Sequence, residues 1–188
     1  QPPTNPKYRN SALQELSKIA STKNEVKFLP SKVADLDSIL GKQVFHLEED
    51  KKSAMDRLVT NFKRLSPSVQ KRLTLENDDK ASMYSVKDLM YIHKHTGIPI
   101  VFDYHHHQFC TGGLSEEEAL KLAATTWPKG IRQEVHYSES KALHENNPKE
   151  KPQAHSIYIN SLPNTYGLDV DIMVEAKGKE LAILPFIK

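Results

Sequence analysis

Short apolar runs alternate with amphipathic segments along most of the chain, and the two patterns predict different elements. The strand-like runs are Gln43-Val44-Phe45-His46-Leu47, Arg72-Leu73-Thr74-Leu75-Glu76 and Pro99-Ile100-Val101-Phe102-Asp103. They continue with Glu134-Val135-His136-Tyr137 and Asp171-Ile172-Met173-Val174-Glu175, and Val26-Lys27-Phe28-Leu29 is a weaker sixth. They are continuous rather than alternating, the pattern of parallel strands covered on both faces. Between them, apolar residues recur at helical spacing. Met55, Leu58, Val59 and Phe62 accompany Ser53 and Asp56, while Val86, Leu89, Met90 and Ile92 follow Ser85 and Asp88 and stop at Gly97. Ala119, Leu120, Leu122 and Ala123 follow Ser115 and Glu118. In each case a serine with an acidic residue three positions on predicts a capped helix start. Leu13, Leu16 and Ile19 predict one more helix near the beginning.

Repeated strand-then-helix units imply parallel pairing through right-handed crossovers, hence an α/β fold. Residues 1–10, with three prolines, read as an extended arm, and 11–188 as a single α/β barrel-type domain. A chain of 188 residues is long enough for one substantial core and short for two. Residues 138–153, rich in Glu, Lys, Asn and Pro, read as a long exposed loop.

Composition narrows the class. With 38% hydrophobic and 27% charged residues the chain is an ordinary soluble globular protein, and no apolar run is long enough to span a bilayer. The start at Gln1 has neither an apolar signal segment nor an initiator Met, which reads as a chain cut from a longer one or processed. Cys110 is alone, so a reducing, cytoplasmic or nuclear setting is expected. A net charge of +2 does not announce nucleic-acid binding, but it does not exclude a basic rim around an acidic metal centre. Nine histidines are the unusual count.

In a parallel α/β barrel, functional groups gather at the carboxyl ends of the strands. Here the strand-like runs end at or beside a potential ligand: His46, Glu76, Asp103 with His106 close behind, His136 and Glu175, while His155 follows the long loop. Brought to one rim, these would form a multinuclear carboxylate–imidazole site for divalent ions such as zinc or manganese. Each residue also has a plainer explanation. A lone histidine ending a strand is more often structural, the run His105-His106-His107 reads equally as a solvated loop, and Glu76 could cap the next helix. Five strand ends carrying Glu, Asp or His favour the joint reading. Lys177 and Lys179, just past the last run, are candidates for phosphate contact, although most surface lysines do nothing more than solvate.

Leu75-Glu76-Asn77-Asp78-Asp79, followed by Pro99-Ile100-Val101-Phe102-Asp103-Tyr104-His105-His106-His107, resembles the UV damage endonuclease family. His136-Tyr137-Ser138, His155-Ser156-Ile157-Tyr158-Ile159 and Met173-Val174-Glu175-Ala176-Lys177-Gly178-Lys179-Glu180 resemble it in the same order, so that the likeness covers about 42–184. The resemblance implies a TIM-type (β/α) barrel, incomplete at its amino-terminal side, with two or three divalent metal ions. It implies that Glu76 and Glu175 bridge or bind the central ions as catalytic ligands, with Asp103 and His136 beside them. His106 and His155 would serve a third ion, and His46 the first. The implied reaction is hydrolysis of duplex DNA immediately 5′ of a UV photoproduct, by a monomer without membrane attachment.

The chain departs from the family pattern at three points. Leu47-Glu48-Glu49 follows His46 in place of paired glycines, Glu134 stands where a lysine is usual, and no His-Pro-Gly block precedes His46. Two rival readings follow: a metal-dependent barrel enzyme of the isomerase kind, which would show no salt-dependent DNA affinity, and a degenerate DNA-binding relative holding fewer ions.

Overall fold

The computed structural model describes residues 51–187. The expected arm at 1–10, the first helix, the runs at 26–29 and 43–47, and His46 lie outside the described residues. The chain divides into two compact units, Gln1–Leu73 and Thr74–Lys188.

The described part of the first unit holds helix α1 (Lys51–Phe62) and the short α2 (Pro67–Gln70). Met55, Val59 and Phe62 are its buried face, as their spacing predicts, joined by Ala54. Ser53 is not the helix cap. It lies inside α1, where Arg57 donates to its hydroxyl and Lys52 pairs with Asp56. Serine and aspartate three apart also occur within a helix, where the i,i+4 neighbours of each hold them in place.

In the second unit, the described strands β1 (Leu75–Glu76), β2 (Ile100–Asp103), β3 (Gln133–Tyr137) and β4 (Val170–Val174) form one parallel sheet in chain order. Between β1 and β2 runs α3 (Val86–Thr96). The short α4 (Tyr104–His107) and α5 (Glu116–Ala124) separate β2 from β3. The predicted capping boxes at Ser85 with Asp88 and Ser115 with Glu118 are both formed, and Gly97 closes α3 in the left-handed conformation at φ 74°. Val86, Leu89 and Ile92 of α3 and Ala119, Leu120 and Ala123 of α5 are buried, as are Ile100, Phe102 and Val135 of the sheet.

β2 is buried along its whole length, matching its continuous apolar run. β1 is shorter than its run. Leu75 donates to the Pro99 carbonyl, but Pro99 has no N–H to return, so the ladder cannot extend upstream. β4 alternates in exposure instead of being buried throughout: Asp171 and Met173 are exposed, and Ile172 and Val174 are half-buried. The base of β2 is tied down by α5's exit, where Thr126 accepts from the Ile100 N–H and the Trp127 indole donates to the Ile100 carbonyl.

The expected loop at 138–153 is more ordered than its composition suggests. It contains a helical turn, α6 (Lys141–His144), and buries Ser138 and Ser140. Glu139 organises the turn, accepting from His144, Tyr137 and both the backbone and side chain of Asn160. Beyond β4, α7 (Glu180–Ile183) packs through Ala182 against Ile159 and Ala176. No helix among the described residues is long and apolar enough to cross a membrane.

Candidate metal centre

Parallel strands place their carboxyl ends side by side, so residues at those ends become neighbours whatever their separation in sequence. Glu76 closes β1, Asp103 closes β2, His136 lies opposite Asp103 in the β2–β3 register, and Glu175 follows β4. The Glu175 N–H bonds to the Tyr137 carbonyl, holding its side chain at the rim. One ligand atom from each of Glu76, Asp103, His136 and Glu175 lies within 4.8 Å of the others.

His136 is the hub. Its Nδ1 is 3.1 Å from Glu76 Oε1 and 3.4 Å from Glu175 Oε1, while its Nε2 is 3.4 Å from Glu134 Oε1. Glu175 turns its second oxygen, Oε2, toward His155 Nδ1 at 3.8 Å, so that one carboxylate faces two imidazoles. His106 approaches from α4, with Nδ1 3.4 Å from Glu76 Oε1 and 2.9 Å from the Asn77 carbonyl. A carbonyl only accepts, so His106 Nδ1 carries the proton and Nε2 keeps its lone pair. The His106 and His155 rings are 6.0 Å apart.

The polar atoms at the centre do not satisfy one another. Glu76 Oε1, Asp103 Oδ2 and His136 Nδ1 are all buried without a hydrogen-bond partner, despite their closeness. Burial pushes the Asp103 carboxyl up, and the Glu76 charge adds to this against the pull of His106. Burial opposes a charge on His136, but its hydrogen bond to Glu134 and the negative charges of Glu76 and Glu175 outweigh it and push the imidazole up to about 10. The site therefore favours positive charge at its centre. A divalent cation would meet all three orphaned atoms at once, and the mixed carboxylate–imidazole donor set suits zinc or manganese.

Sequence reasoning missed three features. Asn77 is buried, and where the β1 backbone ladder stops its side chain continues it, accepting from the Asp103 N–H at 2.9 Å and donating to the Asp103 carbonyl at 3.0 Å. Asn77→Ala is expected to cost about 2–4 kcal/mol, because two buried backbone groups of Asp103 lose their partners. Denaturant unfolding measures this, and a cost below the uncertainty of the fit would contradict the clamp. His105 and His107 are the second feature. They are buried, so the histidine run is not a solvated loop, and the His105 ring packs edge-on against Phe109 and His155. The third is the pairing of Glu134, already marked as a departure from the family pattern, with His136, for which strand parity was the available signal. Glu76 caps no helix, since Ser85 caps α3. Lys177 and Lys179 are exposed in the turn after β4.

The model of the UV-endonuclease UvdE family matches residues 8–188. The UV-damage endonuclease of Schizosaccharomyces pombe is 42% identical over 145 residues, 72% of this chain and 23% of that protein. That of Neurospora crassa is 36% identical over 151 residues, 74% of this chain and 22% of that protein. The UV DNA damage endonuclease of Bacillus velezensis is 32% identical over 149 residues, 74% of this chain and 44% of that protein. The crystal structure of SacUVDE superposes with a TM-score of 0.59 at 35% identity, covering 73% of this chain and 45% of that chain. The chain thus spans less than half the length of these relatives. The parallel strands and their helical crossovers are part of a TIM-type (β/α) barrel. Motif order, fold and overall match agree, and the chain belongs to the UV-endonuclease UvdE family.

Proposed function

We propose that the chain carries the metal-binding active-site rim of a DNA-repair endonuclease that hydrolyses duplex DNA 5′ of UV photoproducts, acting as a monomer. The observation that carries this reading is the cluster of Glu76, Asp103, His136 and Glu175, in which Glu76 Oε1, Asp103 Oδ2 and His136 Nδ1 are buried without a hydrogen-bond partner. These four would hold a central ion. Glu175, facing both His136 and His155, is placed to share its carboxylate with a second ion that His106 and His155 would complete. His46 belongs to a further ion in this reading.

The chemistry supplied by bound manganese or zinc is polarisation of the phosphate, activation of a water and stabilisation of the leaving 3′ oxygen. The chain's own contribution is position. Asn77 fixes Asp103 and sets the His106 tautomer, and burial keeps competing water from Asp103. Lys177 and Lys179 would meet the DNA backbone beside the rim. Damaged nucleotides are poorly stacked and cost less to extrude, which gives recognition by shape rather than sequence.

The test is a supercoiled plasmid, irradiated or not, incubated with the protein and manganese or zinc. Nicked circles are expected only from irradiated plasmid and only with metal, and chelation should stop them. End-labelled duplex with one defined photoproduct should show the cut on its 5′ side. Nicking that survives chelation, or that ignores irradiation, would overturn the proposal.

A further inference from the structure

Glu134 and His136 are two residues apart on β3, so their side chains leave the same face of the sheet. Glu134 Oε1 lies 3.4 Å from His136 Nε2, the imidazole nitrogen that points away from the cluster. The other nitrogen, Nδ1, faces Glu76 and Glu175. Glu134 itself contributes no atom to the group of four. Among the described residues, His136 is the group that pairs with it. The neighbouring residue across the β3–β4 ladder is Asp171, which offers no positive charge.

A carboxylate only accepts, so a ring nitrogen that faces one is a donor; with a cation in the cluster in place of the Nδ1 proton, Glu134 would keep the remaining proton on Nε2 and leave the Nδ1 lone pair toward the cluster. The same contact limits rotation of the ring about its bond to the strand, and the negative charge behind the imidazole strengthens Nδ1 as a donor. A carboxylate holding the outer nitrogen of a ligating histidine is how proteins orient imidazole toward a cation. We propose that Glu134 is a positioning residue that fixes the tautomer and orientation of His136, so that Nδ1 is presented to a divalent cation in the Glu76–Asp103–Glu175 cluster. The proposal rests on the metal-centre reading above.

The experiment is zinc binding to the full chain, followed by competition with a chromophoric chelator, with long-range proton–nitrogen NMR of the His136 ring alongside. The parent should bind zinc, with the ring protonated on Nε2 and zinc on Nδ1. Glu134→Ala should weaken binding by about 10–100-fold, the usual cost of losing such a partner. Glu134→Gln keeps an oxygen that accepts from Nε2, so it should hold affinity within about fivefold of the parent and keep the tautomer. Glu134→Leu, of similar volume but without an acceptor, should match Glu134→Ala and serves if the smaller side chain disturbs folding.

Parent-like affinity in both Glu134→Ala and Glu134→Leu would overturn the positioning role alone. So would a Glu134→Gln loss as large as that of Glu134→Ala, since charge or direct ligation would then be what matters. A parent that binds no zinc would overturn the metal centre itself, and this proposal with it.

Discussion

Glu175→Ala is expected to strip the bound ions and reduce nicking of irradiated duplex to below about one hundredth of the parent. The magnitude follows from position. Removing a partner that only supports a ligand costs about 10–100-fold, and Glu175 stands nearer than that: its two oxygens face His136 at 3.4 Å and His155 at 3.8 Å. Loss of the carboxylate therefore affects both the central cluster and the neighbouring histidine pair. Glu180→Ala is the matched control. Glu180 is an exposed carboxylate in the first turn of α7, so its removal should change neither metal content nor cleavage. Metal analysis of both variants, with the plasmid assay, reads the outcome. Parent-like activity in Glu175→Ala would show that this carboxylate is not a ligand.

How much of this was legible beforehand depends on the scale of the interaction. Strand ends are legible because a parallel sheet brings consecutive carboxyl ends to one edge, so Glu76, Asp103, His136 and Glu175 are named by position alone. The caps at Ser85 and Ser115 are legible for a similar reason, since their partners lie three residues away. Ser53 has the same local pattern but sits inside α1, because the surrounding sequence continues the helix past it. Contacts between distant segments are less accessible. Asn77 bonds to Asp103 across 26 residues, and nothing in its own neighbourhood marks it as a clamp rather than a turn residue. The order in 138–153 comes from Glu139 reaching Asn160, which composition cannot show. β4 reads as buried because Ile172, Met173 and Val174 are consecutive, yet burial depends on what faces each side, and Met173 is exposed.

Metal removal should have the second large effect, on stability and on stoichiometry. Without a cation, Glu76 Oε1, Asp103 Oδ2 and His136 Nδ1 remain buried without a hydrogen-bond partner, and three carboxylates crowd around one imidazole. A ligand that binds the folded state alone stabilises it by about 4 kcal/mol at a thousandfold excess over its dissociation constant. Chelation should therefore lower the melting temperature by about 8–16 °C, using about 2–4 °C per kcal/mol for a chain of this size. Calorimetric titration of the stripped protein with manganese or zinc should show at least one tight event, assigned to the cluster with His106 and His155. It should also show a much weaker event, or none, at His46. The strand-like run that carries His46 offers that one ligand, whereas stable sites generally use three or four. His46→Ala should abolish any weak event and leave the tight one unchanged. If His46→Ala weakens the tight event equally, His46 belongs to the same ion as the cluster. Three tight ions in the parent would mean that another residue completes the first site, with Glu48, Glu49 and Asp50 the nearest acidic candidates in sequence.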